Sequence, residues 1–121
     1  AYCWCEKPGF SKFGSFEGNG NANGPFVDLG FKPAFLMVKG IDSGSRPWVM
    51  HDSARNPFNV TDLNIVADSN TAEASSNLWD FLSNGFKIRD SLAGDNSNNQ
   101  TYIYMAFAEH PFAGTTPATA R

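Results

Sequence analysis

Apolar side chains recur along this chain in short runs separated by stretches rich in glycine and asparagine, a pattern typical of strands and turns. The strongest run is residues 101–111, TYIYMAFAEHP, in which both alternating faces are apolar. Such a strand is expected to be dry on both faces and to lie inside a sheet. Proline then ends its pairing because it has no N–H to donate. The pattern therefore predicts an interior strand that closes the domain at Pro111.

Other runs of the same kind predict further strands. Two hairpins are expected: one joins residues 31–39 to 48–51, and the other joins 78–82 to 85–89 around an Asn-Gly pair, a strong hairpin signal. The predicted strands are residues 10–16, 31–39, 48–51, 58–66, 78–82 and 85–89. The polar stretches between them predict loops at 17–25, 40–47, 67–77 and 90–100, with one short helical turn at 71–74.

The first eight residues, AYCWCEKP, echo the end of the closing strand. Laid over residues 104–111, they match Glu6 with Glu109 and Pro8 with Pro111. Self-similarity at a fixed spacing is typical of repeated units, and the alternative is a chance match between two aromatic strands. On the repeat interpretation, this chain is a piece of a longer one. Its divisions are residues 1–9, the closing strand of a preceding repeat or a linker; 10–112, a single β-sandwich domain; and 113–121, a C-terminal linker.

Composition supports an all-β fold. The 121 residues include 11 Gly, 12 Asn and 11 Phe, whereas charged residues make up only 17%. This mixture favours extended strands and turns over solvated helices, and an antiparallel β-sandwich is the expected architecture.

Charge and hydropathy exclude two classes of partner. The formal net charge is −3, and Lys and Arg do not cluster anywhere in the chain, so a nucleic-acid surface is not expected. No apolar run approaches the roughly 18 residues that a membrane-spanning helix needs, so membrane insertion is not expected either.

The cysteines give no metal or cofactor prediction. Cys3 and Cys5 lie on one side of the first predicted strand and are interpreted as small buried hydrophobic residues. A Cys-x-Cys metal site needs further thiolates or imidazoles, and only His51 and His110 are present. Neither a metal site nor a cofactor is therefore predicted.

The run His51-Asp52-Ser53 contains the residue types of a hydrolase triad, but consecutive residues of an extended chain point in alternating directions. The structural interpretation is a turn in which Asp52 and Ser53 act as caps and Arg55 contacts a carboxylate. Glycoside hydrolysis needs two acids facing a cleft, and Asp80 is the only acid with strongly apolar sequence neighbours. Alternation places Asp80 towards solvent, so no enzymatic activity is predicted.

The candidate ligand-binding residues are tryptophans and loop asparagines. An exposed tryptophan can stack on a sugar ring, and asparagine amides can hydrogen-bond to sugar hydroxyls. The alternative for each tryptophan is a place in the core. The candidates are Trp48, Trp79, Asn21, Asn23, Asn96 and Asn98.

Several motifs occur in a fixed order: GNGNANGPFVDLGFKPAFLMVK at 18–39, WVMHDSAR at 48–55, DFLSNGFKIR at 80–89 and TYIYMAFAEHPF at 101–112. Together they resemble a domain family of tailed bacteriophages, found in tail-fibre and related virion proteins. The resemblance covers about residues 10–112.

The resemblance implies a lectin-like β-sandwich, of jelly-roll or concanavalin type, in a virion assembled in the bacterial cytoplasm. Other virion subunits are the implied partners, with homo-oligomers such as trimers expected. The expected function is a tail-fibre or tail-appendage module that contributes to attachment to host-surface carbohydrate through its loops. The alternative is a purely architectural spacer, a baseplate or neck component, or a capsid decoration domain. A hydrolytic function such as that of a depolymerase is not expected, because no acid pair supports it.

Overall fold

The structure is a computed structural model that describes residues 1–42, 44–113 and 116–117, with only the backbone described for 112–113 and 116–117. Every regular element in this part of the chain is a β-strand, so the all-β prediction is confirmed. The strands are β1 (Ser11–Glu17), β2 (Phe26–Asp28), β3 (Pro33–Gly40), β4 (Trp48–Asp52), β5 (Thr61–Val66), β6 (Ala74–Leu82), β7 (Gly85–Ile88), β8 (Thr101–Ala108), β9 (Phe112–Ala113) and β10 (Thr116–Pro117).

Eight strands form one antiparallel sheet in the order β1-β8-β3-β4-β5-β6-β7-β2, and β9 pairs with β10 separately. The sheet curls until it is nearly closed, because its two edge strands approach each other: Lys12 Nζ in β1 donates to the carbonyl of Asp28 in β2 at 3.0 Å. Its narrowest link is between β4 and β5, where two residue pairs are in register, Val49 with Val66 and Met50 with Ile65.

The strand predictions are largely confirmed. β8 lies inside the sheet between β1 and β3, and both predicted hairpins form, β3–β4 and β6–β7. Two details differ from prediction. β2 is not among the predicted strands, because its three residues are too few to show an alternating pattern. β6 begins at Ala74, inside a predicted loop, because its polar first residues pair with β5 (Ser75 opposite Leu63), and no helical turn forms at 71–74.

The core lies inside the curl of the sheet. Inward-facing aromatic side chains connect its two halves: Phe16 stacks on Tyr102 with ring centroids 5.4 Å apart, and Phe86 meets Tyr104 edge-on at 5.5 Å. Such aromatic pairs contribute beyond their buried area. The buried apolar cluster consists of Leu29, Phe31, Leu36, Val38, Val49, Trp79, Phe81, Phe86, Ile88, Tyr102, Tyr104 and Ala106.

The antiparallel order gathers the four long predicted loops at one end of the sheet, since each follows or precedes a strand that ends there. Main-chain hydrogen bonds show this proximity: Gly18 N–H donates to Gln100 O at 2.9 Å and Ile41 N–H to Thr101 O at 3.0 Å. On the next strands, Ala67 N–H donates to Trp48 O at 2.9 Å.

Residues 1–6, called the arm below, form no strand. The chain turns at Pro8 and Gly9, which has a φ of 71°, and an isolated bridge joins Lys7 to Ser11. The prediction that Cys3 and Cys5 are buried is wrong, since both are exposed; the arm leaves the sheet, so no second layer covers them.

The assignment of residues 1–9 to a preceding repeat stays a prediction. The linker predicted at 113–121 lies mostly outside the described residues.

Candidate functional site on the outer face of the sheet

Alternation along β8 separates two sets of large side chains. Tyr102, Tyr104 and Ala106 point into the core, whereas Ile103, Met105 and Phe107 point outward. The outward side chains of β1, β8, β3 and β4 form a surface called the outer face below. The prediction that both faces of this strand are dry is wrong for the outer face. A single curled sheet covers only its inner face, so the outward side chains of β8 are partly exposed.

The strand register aligns the outer face into rows. One row crosses five strands: Phe13 opposes Met105, Met105 opposes Met37, Met37 opposes Met50, and Met50 opposes Ile65. It contains all three methionines of the chain. Directly opposed side chains on one face of a sheet contact each other, so the row is continuous.

A row on each side of the methionines extends the apolar area. Phe107 opposes Phe35, and Ile103 opposes Lys39, which in turn opposes Trp48. Lys39 Nζ lies 5.8 Å from the centre of the Trp48 ring, a cation–π distance, and it also donates to the carbonyl of Arg46. The positive charge therefore sits at the border of the outer face.

The arm lies over part of this surface. The Trp4 ring is 6.3 Å from that of Phe13 and 5.8 Å from that of Phe107, centroid to centroid. Trp4 is nevertheless 59% exposed and Tyr2 is 94% exposed. A groove of about 750 Å³ remains between the arm and the sheet, lined by Tyr2, Trp4, Phe13, Gly14, Met37, Trp48, Ile103, Tyr104 and Met105.

The chemistry of the groove suits binding of apolar groups. Methionine side chains are flexible and polarizable, and they adapt to partners of different shape. A Cβ atom at Gly14 would lie 2.8 Å from the Tyr104 hydroxyl oxygen, so a larger residue here would displace the Tyr104 ring.

The six candidate ligand residues are not brought together. Trp48 is half-buried on the outer face, and Trp79 is fully buried, with its ring 3.9 Å from that of His51 and its indole N–H donated to Asp95. The prediction that Trp79 stacks on a ligand is therefore wrong, because the inner face of β6 is covered by the curl of the sheet.

Asn96 is also removed from the candidate set, since it is fully buried. Its amide nitrogen donates to the carbonyls of Asn21 at 2.8 Å and Asp90 at 2.6 Å and to Asn19 Oδ1 at 3.2 Å, and its Oδ1 accepts from the Asn19 N–H at 2.9 Å. These bonds join the first predicted loop to the last, so Asn96 holds the loops in place.

Asn21, Asn23 and Asn98 are exposed at the loop end. Asn21 Oδ1 accepts the Asn23 N–H at 2.8 Å, and Asn19 Oδ1 accepts the Asn21 N–H at 3.0 Å. These side chains fold the loop locally, as asparagine does in tight turns.

Asp52 and Arg55 contact each other in the turn after β4. Asp52 Oδ1 accepts the Arg55 N–H at 2.8 Å, and Arg55 Nε donates to Asp52 Oδ2 at 2.6 Å. Ser53 contributes through its main-chain N–H, which donates to Ala34 O at 2.9 Å. Glu73 adds a second carboxylate to Arg55 at 2.5 Å.

Sequence reasoning missed a buried polar cluster behind β4. His51 is 1% exposed, and neither of its ring nitrogens has a hydrogen-bond partner in the described part of the chain. Burial lowers the pKa of His51 to about 3. Burial, followed by the nearby charge of Asp90, raises the pKa of Asp95 to about 8. His51 and Asp95 lie 44 residues apart in sequence and share only Trp79, so no local pattern indicated the cluster.

Two further findings concern metals and membranes. Among the described residues, no three His, Cys, Asp or Glu side chains are grouped so that they could hold a metal ion. The described part of the chain also contains no helix with the length and apolar character needed to cross a membrane.

Fold and site together define an all-β domain with an apolar, methionine-rich face beside an aromatic arm. The chain belongs to the family described as a domain of unknown function, DUF7483, and the match spans residues 1–111. This range includes the arm together with the eight-stranded sheet. No curated protein matches the chain. No solved structure matches it either.

Proposed function

We propose that this domain is an assembly module of a bacteriophage tail fibre or related virion appendage, and that its outer face packs against other virion subunits. The observation that carries the proposal is the row of five apolar side chains that crosses β1, β8, β3, β4 and β5 on the solvent side. A contiguous apolar patch of this kind is typical of an interaction site. The motif resemblance supplies the virion context.

The proposal also includes the division of the sheet into two layers. Because β4 and β5 are linked by only two residue pairs, the sheet divides into a half made of β1, β8, β3 and β4 and a half made of β5, β6, β7 and β2. We interpret these halves as the two layers of a lectin-like β-sandwich. The outer face then belongs to one layer, and the domain acts by binding, without catalysis.

Incorporation into particles tests the assembly role. Ile103→Lys adds a charge to the outer face at a residue that is 36% exposed. Ile41→Lys makes the same change at a loop residue that is 54% exposed, follows the end of β3 and does not line the groove. Phage particles carrying each variant are purified by density gradient and analysed by peptide mass spectrometry and immunogold microscopy.

We expect the unmodified chain and Ile41→Lys to be present in an appendage and Ile103→Lys to be depleted at least tenfold. Circular dichroism of each purified variant checks that it is folded. Absence of the unmodified chain from particles would refute the virion role, and normal incorporation of Ile103→Lys would refute the role of the outer face.

Attachment to host-surface carbohydrate is the second candidate, and the gathering of four loops at one end of the sheet favours it. Loops on a rigid scaffold are common recognition sites, and Asn21, Asn23 and Asn98 expose their side chains there. A glycan array with the purified chain tests this candidate. Binding that is lost in Asn98→Ala but kept in Ile103→Lys would support it, and the absence of any glycan signal would contradict it.

A further inference from the structure

We propose that the outer face of one copy is covered by the arm of a second copy, so that the domain assembles by exchange of aromatic arms. This inference rests on the proposed assembly function and names the partner. The partner segment is residues 1–6, AYCWCE, and the receiving surface is the groove beside Met105.

Contacts within one chain show which kind of side chain the outer face binds. Trp4 already contacts Phe13 and Phe107 on the outer face, so this surface accepts an aromatic side chain from the arm. The groove of about 750 Å³ extends beyond these contacts to Met37, Trp48 and Ile103. On exchange, the arm of the second copy therefore takes the place of the chain's own arm on a surface that accepts aromatic side chains.

The arm is weakly held to its own sheet. Ser11 Oγ donates to Cys5 O at 3.0 Å, and the bridge at Lys7 lies beyond the arm. Among the described residues, no hydrogen bond is found for residues 1–4. Segments with few contacts and few hydrogen bonds open at low free-energy cost, and the turn at Pro8 and Gly9 supplies a pivot.

The exposed area is large enough for a stable interface. Tyr2 is 94% exposed and Trp4 59% exposed, so most of their apolar surface is still in contact with water. A large aromatic side chain can bury about 150–250 Å². Because part of Trp4 is already covered by its own sheet, two exchanged arms newly bury the equivalent of about three such side chains, roughly 460–770 Å², and they cover a similar area of the two faces. The total approaches the ~1,200–2,000 Å² of a specific protein interface.

The experiment uses the whole chain and two complementary variants. Tyr2→Ser/Trp4→Ser removes the aromatic arm and keeps the face, whereas Ile103→Lys alters the face and keeps the arm. Ile41→Lys is the control for an added lysine. Sedimentation velocity and native mass spectrometry, with one variant labelled with nitrogen-15, measure self-association and mixed association over micromolar to millimolar concentrations.

Arm exchange predicts that the unmodified chain and Ile41→Lys self-associate, and that each complementary variant alone associates at least tenfold more weakly. Mixing the two variants restores association, in species that contain one copy of each, because an intact arm then meets an intact face. The mixed species is weaker than the unmodified assembly, since only one arm-to-face contact remains.

Two results would overturn the inference. Undiminished self-association of Tyr2→Ser/Trp4→Ser would show that the arm does not occupy the outer face. If Ile103→Lys loses self-association in the same experiment, the assembly role of the outer face would still stand. A monomeric unmodified chain at all concentrations would exclude arm exchange, and the incorporation experiment above would still decide the virion role. The two proposals can therefore fail separately.

Discussion

The two faces of β8 carry side chains of similar size and polarity, yet only one face is dry. Tyr102 and Ala106 are fully buried, whereas Ile103, one residue along from Tyr102, is 36% exposed. The difference arises from the sheet, which curls towards one side and leaves the other without a second layer. Apolar character alone therefore does not decide burial. On the inner face it stabilises the fold, and on the outer face it is available for a partner.

Adjacent residues of β3 give the sharpest stability test of this comparison. Leu36 is fully buried on the inner face, whereas Met37 is half-buried in the methionine row. We expect Leu36→Ala to lower the free energy of unfolding by about 2–5 kcal/mol, because it removes core contacts and leaves a cavity. Met37→Ala should cost no more than about half of that. Urea unfolding measures both, and equal losses would contradict the division into two faces.

Two loop asparagines extend the comparison to the loop end. Asn96 is fully buried and makes four hydrogen bonds, whereas Asn98 is exposed. With each bond contributing about 0.5–1.5 kcal/mol, Asn96→Ala should lower the free energy of unfolding by about 2–6 kcal/mol. Asn98→Ala should change it by less than about 0.5 kcal/mol. Thermal and urea unfolding test this, and a stable Asn96→Ala protein would show that the loops are held by other contacts.

The inner face also gives the fold a pH dependence. The pKa of Asp95 is raised to about 8, so the native state keeps a proton that the unfolded chain loses above its ordinary pKa near 4. Stability therefore falls as pH rises through this window. The lowered pKa of His51, about 3 against an ordinary 6.5, has the opposite effect between pH 3 and 6.5. The two slopes offset each other between about pH 4 and 6.5.

We therefore expect the free energy of unfolding to fall by about 2 kcal/mol between pH 6.5 and 8. A difference of one bound proton between the native and unfolded states changes this free energy by about 1.4 kcal/mol for each pH unit. Asp95→Asn removes the titrating group and keeps an oxygen that can accept the Trp79 indole N–H. The free energy of unfolding of this variant should therefore change little between pH 6.5 and 8. Urea unfolding across this pH range compares the two proteins. If the free energy of unfolding of the variant falls with pH as steeply as that of the unmodified chain, another group causes the loss of stability at alkaline pH.

Period-two patterns made much of the fold predictable. The interior position of β8 followed from its two apolar faces, and the β6–β7 hairpin followed from the pair Asn84-Gly85. The pattern also identified which residues share a face. It could not identify which face is covered, because that depends on how distant strands curl towards each other.

The same limit explains why the sequence could not separate exposed candidate ligand residues from buried ones. Trp48 and Trp79 look alike in sequence, each with apolar neighbours, and only the curl of the sheet places one outside and the other in the core. Asn96 and Asn98 lie two residues apart in one polar stretch, and the contacts that bury Asn96 come from Asn19 and Asn21, more than 70 residues away. Local sequence contains no signal for such contacts.

A substitution with a small expected effect on stability is also the most informative about function. Ile103→Lys places an amine opposite Lys39 at a position that already contacts water, so the isolated domain should change its free energy of unfolding by less than about 1 kcal/mol. Ile41→Lys should do the same. If both variants fold normally and only Ile103→Lys loses association, the outer face is apolar because it binds a partner. If Ile103→Lys instead destabilises the fold by several kcal/mol, its apolar character serves the monomer, and the distinction between the two faces of β8 fails.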